Sequence, residues 1–223
     1  MLSRHDDLSL KYVLSVPTRQ KDDVELPLVI VMHGRGADAN DLADLAPAID
    51  DGYRLAFPNA SKPFEPIRGM TFGWTWFDGW PPTKTSIAES RAKLTTFIDE
   101  MLARYPTPNG KLILAGFSQG GLMSLDIGFR TPHPLAGIVV MSGAVFEDDP
   151  PDFQSHRDRP VLIVHGIDDE VIPVNAARRT RRVLEEHGIE PEYHEFPMGH
   201  FVTAESIAVV AAFVRRCFGA PIA

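Results

Sequence analysis

Four short stretches of the chain are almost wholly apolar: "LVIVM" at Leu28–Met32, "LILA" at Leu112–Ala115, "GIVVM" at Gly137–Met141 and "VLIV" at Val161–Val164. A strand with one wet face alternates apolar and polar residues. A run without polar positions suits a strand covered on both faces, as in a parallel sheet flanked by helices. Leu8–Val16, Tyr53–Phe57 and Glu192–Phe196 bring the predicted strands to about seven.

Between these runs the apolar spacing becomes helical. Leu94, Phe97, Ile98, Met101 and Leu102 share one face, "SIAE" from Ser86 to Glu89 predicts a capping box ahead of them, and "PTPNG" ends the pattern. Helices are also predicted over Asp41–Ile49, Gln119–Arg130, Val174–His187 and Thr203–Phe218. Strands alternating with helices imply an α/β fold, here a single domain over residues 1–223 with helices on both faces of a mostly parallel sheet. One connection breaks the rhythm. Pro58 to Thr85 holds all three tryptophans and several phenylalanines, a composition unsuited to disorder, and it predicts an ordered loop packed over something.

Composition narrows the reading. A chain of 223 residues, 44% hydrophobic and 23% charged, can bury a core without staples. The net charge of -8 argues against nucleic acid as a partner. The one basic cluster, "RRTRR" at Arg178–Arg182, falls on the polar side of a helical pattern with Glu185 and Glu186 close by, and reads as a solvated face. Cys217 is the only cysteine, so no intrachain disulfide forms, and it lies on the apolar side of the last helix beside Val210 and Val214. The start lacks an apolar segment of the signal-peptide kind, and the longest apolar run, Ile207–Val214, is too short to span a membrane. These features predict a cytoplasmic protein.

Candidate chemistry centres on "AGFSQGG". A serine between glycines at a strand-to-helix turn is placed with its hydroxyl above the strand ends, next to free N–H groups of the helix N-terminus. Ser118 is the predicted nucleophile, with Gly116 and Gly120 keeping neighbouring backbone clear. A serine needs a base, and the base a carboxylate, following in the chain order Ser, acid, His. "IDDEVIP" after the fourth apolar run offers Asp168, Asp169 and Glu170, with Asp169 preferred. Of the later histidines, His187 ends a helix and His194 lies within a strand, whereas His200 in "PMGHF" lies on a loop at the active edge. The oxyanion donors are predicted as the backbone N–H groups of Gln119 and, from "HGRG", Arg35. Trp74, Trp76, Phe77 and Trp80 are candidates for an apolar substrate groove.

With these segments placed, the chain resembles the phospholipase/carboxylesterase family of α/β-hydrolases, which includes the acyl-protein thioesterases. "GFSQGG" matches the family's elbow. "GIDDEVIP" matches its acid loop, whose aspartate stands three residues after the glycine, here Asp169 after Gly166. "PMGH" matches the approach to its histidine, here His200, and "WTWFD" the segment flanking its site. Ala37 and Arg35 depart from the thioesterase pattern and are closer to the bacterial esterase branch. The resemblance implies an α/β-hydrolase fold and a serine hydrolase with neither metal nor cofactor. The span Ser142–Pro160 is too short for a lid domain, which predicts an open site. The expected function is a carboxylesterase acting on short-to-medium acyl or aryl esters through an acyl-enzyme. Lysophospholipid or thioester hydrolysis is the alternative, and a non-enzymatic ligand receptor on the same fold the remote one. The expected partner is a small-molecule ester, with homodimerisation an open option.

Overall fold

The computed structural model describes residues 1–17, 25–49 and 52–219. In chain order the strands are β1 (Leu2–His5), β2 (Tyr12–Ser15), β3 (Leu28–Met32), β4 (Arg54–Pro58), β5 (Lys62–Phe64), β6 (Gly73–Thr75), β7 (Leu112–Phe117), β8 (Leu135–Met141), β9 (Val161–Gly166) and β10 (Glu192–Phe196). The helices are α1 (Ala46–Ile49), α2 (Lys84–Arg104), α3 (Gln119–Gly128), α4 (Val174–Glu186) and α5 (Ala204–Phe218). One sheet of eight strands runs in the order β1-β2-β4-β3-β7-β8-β9-β10, and β5 and β6 form a separate hairpin. β1 and β2 pair antiparallel, and β2 meets β4 antiparallel. From β4 to β10 every neighbouring pair is parallel. This is an α/β-hydrolase fold, and the connection Ser142–Pro160 carries a single short helical turn, Gln154–His156, rather than a lid domain.

The apolar runs read as they do because both faces of the central strands are covered. Leu28, Ile30 and Met32 join the core on the side of α2, α3 and α4, while Val29 and Val31 join the core that includes residues of α1 and α5. Val161 and Ile163 of β9 divide from Leu162 and Val164 in the same way. Each such side chain contributes about 1.5–3 kcal/mol through burial. α3 is buried along all ten residues, so no polar face marks it as a surface helix.

Several boundaries depart from the sequence reading. The first predicted strand, Leu8–Val16, shortens to β2, and an additional edge strand, β1, precedes it, its residues alternating between exposed and half-buried. α2 starts at Lys84, capped by Thr83, whose hydroxyl accepts from the Ser86 N–H. Ser86 therefore lies inside the first turn, and Glu89 pairs with Lys62 instead of completing a box. The capping box belongs to α5, between Thr203 and Ser206. Asp41–Ile49 forms turns and a short helical segment, Ala43–Leu45, before α1. α3 stops at Gly128, where the Arg159 guanidinium donates to the carbonyls of Gly128, Thr131 and His133. The basic cluster is a charged face, with Arg178 on Glu195, Arg179 on Glu147 and Arg181 on Glu185. Cys217 packs half-buried beside α5's core residues, and burial raises its thiol to about 11, so it stays protonated.

The chain order reverses at β3, with β4 on one side and β7 on the other. Such a switch point opens a crevice at the strands' carboxyl ends. Met32 pairs with Gly116 there. A Cβ at Gly116 would lie 2.1 Å from the Gly120 carbonyl oxygen, and one at Gly120 would lie 2.1 Å from the Met32 carbonyl oxygen. Neither backbone atom can yield, so Gly120→Ala is expected to cost about 3 kcal/mol or more in denaturant unfolding. Gly188→Ala is the control. Its φ is +77° but nothing lies within 4 Å of the added carbon, so the expected cost is only about 1 kcal/mol. Equal losses in the two variants would refute the close-packing account.

Candidate active site

Ser118 stands between β7 and α3 with φ 55° and ψ −121°. That is a strained conformation for a residue with a side chain, and it is held from both sides. The Ser118 N–H donates to Met141 O at 2.9 Å, and Ser118 O accepts from Leu122 N–H at 3.1 Å. The hydroxyl meets His200 Nε2 at 2.8 Å, and His200 Nδ1 lies 2.7 Å from Asp169 Oδ2. A carboxylate accepts, so the imidazole proton lies on Nδ1 and the bare Nε2 takes the serine hydroxyl's hydrogen bond. Asp169 Oδ1 accepts from the N–H groups of Val171 and Ile172 at 2.9 and 2.8 Å. The aspartate side chain is fully enclosed, whereas the imidazole keeps 17% of its surface in contact with solvent. This is a serine-hydrolase active site: nucleophile, base and orienting acid, each on a loop that follows a sheet strand. Asp168 and Glu170 are exposed, His187 bonds within its own helix end, and His194 pairs with Glu192.

The loop after β3 is folded around its own donors. Gly36 N–H donates to Trp74 O, Trp74 N–H returns a bond to Ala37 O, and Ala37 N–H donates to Gly34 O. Among the described residues this leaves the Arg35 N–H without an acceptor, and the Gln119 N–H likewise at the start of α3. His33 anchors the loop from beneath. Ala60 N–H donates to its Nε2 at 3.0 Å, so the ring proton lies on Nδ1 and donates to Gly34 O at 2.6 Å. Burial brings the His33 imidazole down to about 4.

The aromatic loop divides its residues between two tasks. Trp76 is wholly buried, its indole N–H donating to His33 O at 2.9 Å. Phe77 is also buried, edge-on to Phe146. Trp74 is half-buried and Trp80 is exposed. A role for the Gln119 side chain was not foreseen from the sequence. Its Oε1 accepts from Thr75 Oγ1 and Trp76 N–H, both at 3.0 Å, and its Nε2 donates to Phe77 O at 2.9 Å. The aromatic loop is thereby latched to the residue beside the nucleophile. Two hollows flank this latch. One, of about 420 Å³, lies among Trp80, Ile87, Leu122, Val145 and Phe146. The other, of about 340 Å³, lies among Arg35, Phe64, Thr75 and Phe77, with the Arg35 guanidinium 4.8 Å from the Phe64 ring centre. Among the described residues no group of three or more His, Cys, Asp or Glu side chains is placed to hold a metal ion.

The profile of the Phospholipase/Carboxylesterase family matches residues 16–218. The chain belongs to that family. Within it, the chain is 26% identical to carboxylesterase SOBER1 of Arabidopsis thaliana, over 72% of this chain and 75% of that protein. It is 31% identical to acyl-protein thioesterase 1 of Gibberella zeae over a segment that spans 48% of each chain, about half that relative's length. Among solved structures it is similar to esterase PE8, with a TM-score of 0.75, 25% identity and coverage of 97% of this chain and 99% of that one. The carboxylesterase from Mesorhizobium loti shares the fold, with a TM-score of 0.78 at 20% identity over 96% and 98% of the two chains.

Two expected outcomes follow from this Phospholipase/Carboxylesterase site. Asp169→Asn keeps the shape but offers Nδ1 the wrong partner, so kcat is expected to fall about 10³–10⁴-fold, against less than about threefold for Asp168→Asn. Steady-state rates on one ester decide it, and a comparable loss at Asp168 would reassign the acid. The second concerns His33. Its folded-state pKa lies below the ordinary value of about 6.5, so between pH 4 and 6.5 the unfolded chain binds the extra proton. Stability from this group is full above about pH 6.5 and is lost as pH falls through about 4. The stability advantage of wild type over His33→Gln should therefore shrink over that window, by at most about 1.4 kcal/mol per pH unit. An advantage that stays constant in urea melts across the window would contradict the buried neutral imidazole.

Proposed function

We propose that the protein is a serine carboxylesterase for short-to-medium acyl or aryl esters, working through an acyl-enzyme, with residues 1–223 acting as one catalytic domain. The observation that carries this is the unbroken relay from Ser118 Oγ through His200 to the enclosed Asp169. In the proposed cycle His200 Nε2 takes the hydroxyl proton as Ser118 Oγ bonds to the ester carbonyl carbon. The free N–H groups of Arg35 and Gln119 receive the oxyanion, each such donor typically supplying about 3 kcal/mol. Collapse breaks the carbon–oxygen bond to the leaving alcohol, which takes the proton from Nε2. Water then adds to the acyl carbon as His200 accepts its proton, and collapse breaks the carbon–oxygen bond to Ser118 Oγ, which takes that proton back as the carboxylic acid leaves.

Support for the acyl class comes from the hollow lined by Trp80 and Leu122. Its floor is apolar, and it adjoins the elbow through Leu122, whose N–H bonds Ser118 O. We assign Trp80 and Trp74 to the substrate approach, and the wholly buried Trp76 and Phe77 to the loop's anchorage. The carboxylesterase and esterase names of similar proteins agree with oxygen esters, while the thioesterase relatives keep a thioester reading alive. No helix among the described residues is long and apolar enough to cross a membrane. We further propose a cytoplasmic location, a reading that the single, unpaired cysteine supports because it suits a reducing compartment.

A fluorophosphonate probe should label the wild type and leave Ser118→Ala untouched; labelling of the variant, or none of the wild type, defeats the mechanism. On a series of nitrophenyl esters, kcat/KM should peak between butyrate and octanoate and drop about tenfold or more by palmitate. A palmitate optimum, or a thioester preferred over the matching oxygen ester, would favour the alternative.

A further inference from the structure

The segment that delivers Asp169 carries another titratable group that the catalytic cycle leaves unused. His165 ends β9 beside Gly166, and its side chain is completely enclosed. Its Nε2 lies 2.7 Å from the Ile172 carbonyl oxygen and 3.5 Å from Asp169 Oδ2. A carbonyl only accepts, so the proton lies on Nε2 and that N–H donates to Ile172 O, with Asp169 Oδ2 close beside it. Nδ1 has no partner among the described residues, so a second proton there would be a buried, unsatisfied donor. The ring is neutral, in accord with burial, which pushes its basicity below the usual histidine value.

These contacts close a circuit. Asp169 Oδ1 accepts from Ile172 N–H, the carbonyl of the same residue accepts from His165, and the His165 ring returns to Asp169 Oδ2. Ile172 is thus gripped at both ends of its backbone, and the carboxylate cannot rotate without breaking the ring. Oδ2 is also the oxygen that receives His200 Nδ1–H. It therefore takes the N–H of the base while lying 3.5 Å from the His165 Nε2.

We propose that His165 is a positioning residue of the catalytic triad, holding Asp169 through Ile172 and drawing part of the Oδ2 charge away from His200. The proposal rests on the serine-hydrolase reading. Its electrostatic consequence is directional. A carboxylate that shares its charge attracts an imidazolium less, so removing the His165 N–H is expected to strengthen the pull of Asp169 on the base. The other groups facing this corner leave that direction intact. Glu195 on β10 lies opposite His165 in register but is held by Arg178 of α4 and by Tyr193. Asp168 and Glu170 of the acid loop are exposed to solvent, and Ser142 at the end of β8 carries no charge.

Two substitutions separate positioning from mere core filling. His165→Gln can place an amide N–H near the Nε2 position, whereas His165→Leu keeps bulk without a donor. The leucine variant is expected to lose about 10–100-fold in kcat with KM within about twofold, because a displaced acid misaligns the base. Its acid limb of kcat/KM against pH should move up by about half a unit, and the glutamine variant should bring both readings back toward wild type. A folded leucine variant with the wild-type acid limb overturns the proposal. If that variant does not fold, nitrogen-15 histidine spectra of the wild type decide. His165 must remain neutral and protonated on Nε2 from pH 5 to 8, with its resonance shifting as His200 titrates. Protonation on Nδ1, or no response to His200, refutes it. Failure of wild-type Ser118 to label would instead sink the hydrolase reading alone.

Discussion

The site rests on a close backbone approach between the first turn of α3 and the end of β3. At Gly120 the helix backbone comes so near Met32 and His33 that a methyl group would overlap their carbonyl oxygens, at 2.1 and 2.7 Å. That contact sets the active site's dimensions. It brings the N-terminus of α3, with its free N–H groups, against the loop that leaves β3. It also fixes Ser118 at the one point where the sheet's connections diverge to either side. A wider gap would separate the Arg35 and Gln119 N–H groups from each other. The same spacing recurs at Gly116, Gly166 and Gly73, where added carbons would meet the carbonyls of Gly120, Met198 and Gly36. Glycine is required at these positions because backbone must touch backbone wherever two catalytic loops are held in contact.

What keeps these loops in register is a polar seam around the aromatic loop. Trp74 exchanges backbone bonds with Gly36 and Ala37, the Trp76 indole holds His33 O, and the Gln119 amide accepts from Thr75 and Trp76 and donates to Phe77 O. One loop thus braces both segments that supply the free N–H groups. Burial makes the seam consequential: a polar group in this layer that lost its partner would cost about 1–3 kcal/mol, so the bonds stand or fall together. Arg91 of α2 adds a bidentate pair with the buried Asp126 of α3, fastening the helix behind the nucleophile.

Much of this was legible in the chain because its signals were local and doubled. Each central strand is an unbroken apolar run, and Ser118, Asp169 and His200 each follow a strand within a few residues. The missed elements lack such signals. β1 is an edge strand reading "LSRH", with no apolar run to mark it. β5 and β6 are three-residue strands in a proline- and glycine-rich segment, held by the bridge to Ala37 rather than by their own pattern. The start of α2 was misplaced because threonine and serine three residues apart both satisfy the capping pattern, and only geometry shows that Thr83 takes the bond. Trp76 and Trp80 are the same residue type in one loop, yet the first is enclosed and the second is 64% exposed. Composition cannot divide them, because the division comes from which indole finds a buried carbonyl.

The acid side of the site shows the same economy at a smaller scale. Asp169 is enclosed, and an enclosed carboxylate needs donors for its lone pairs or it protonates. Three N–H groups donate to it, two from the backbone of its own turn and one from His200, and His165 Nε2 lies 3.5 Å away. Only the His200 N–H belongs to the proton relay. The two backbone donors, with His165 close by, fix the enclosed side chain so that it orients the base. A serine nucleophile demands a neutral imidazole, and a neutral imidazole in the right tautomer demands an acceptor that stays ionised. The chain meets both demands with a turn of seven residues, Ile167–Pro173, and the histidine at the end of the strand beneath it.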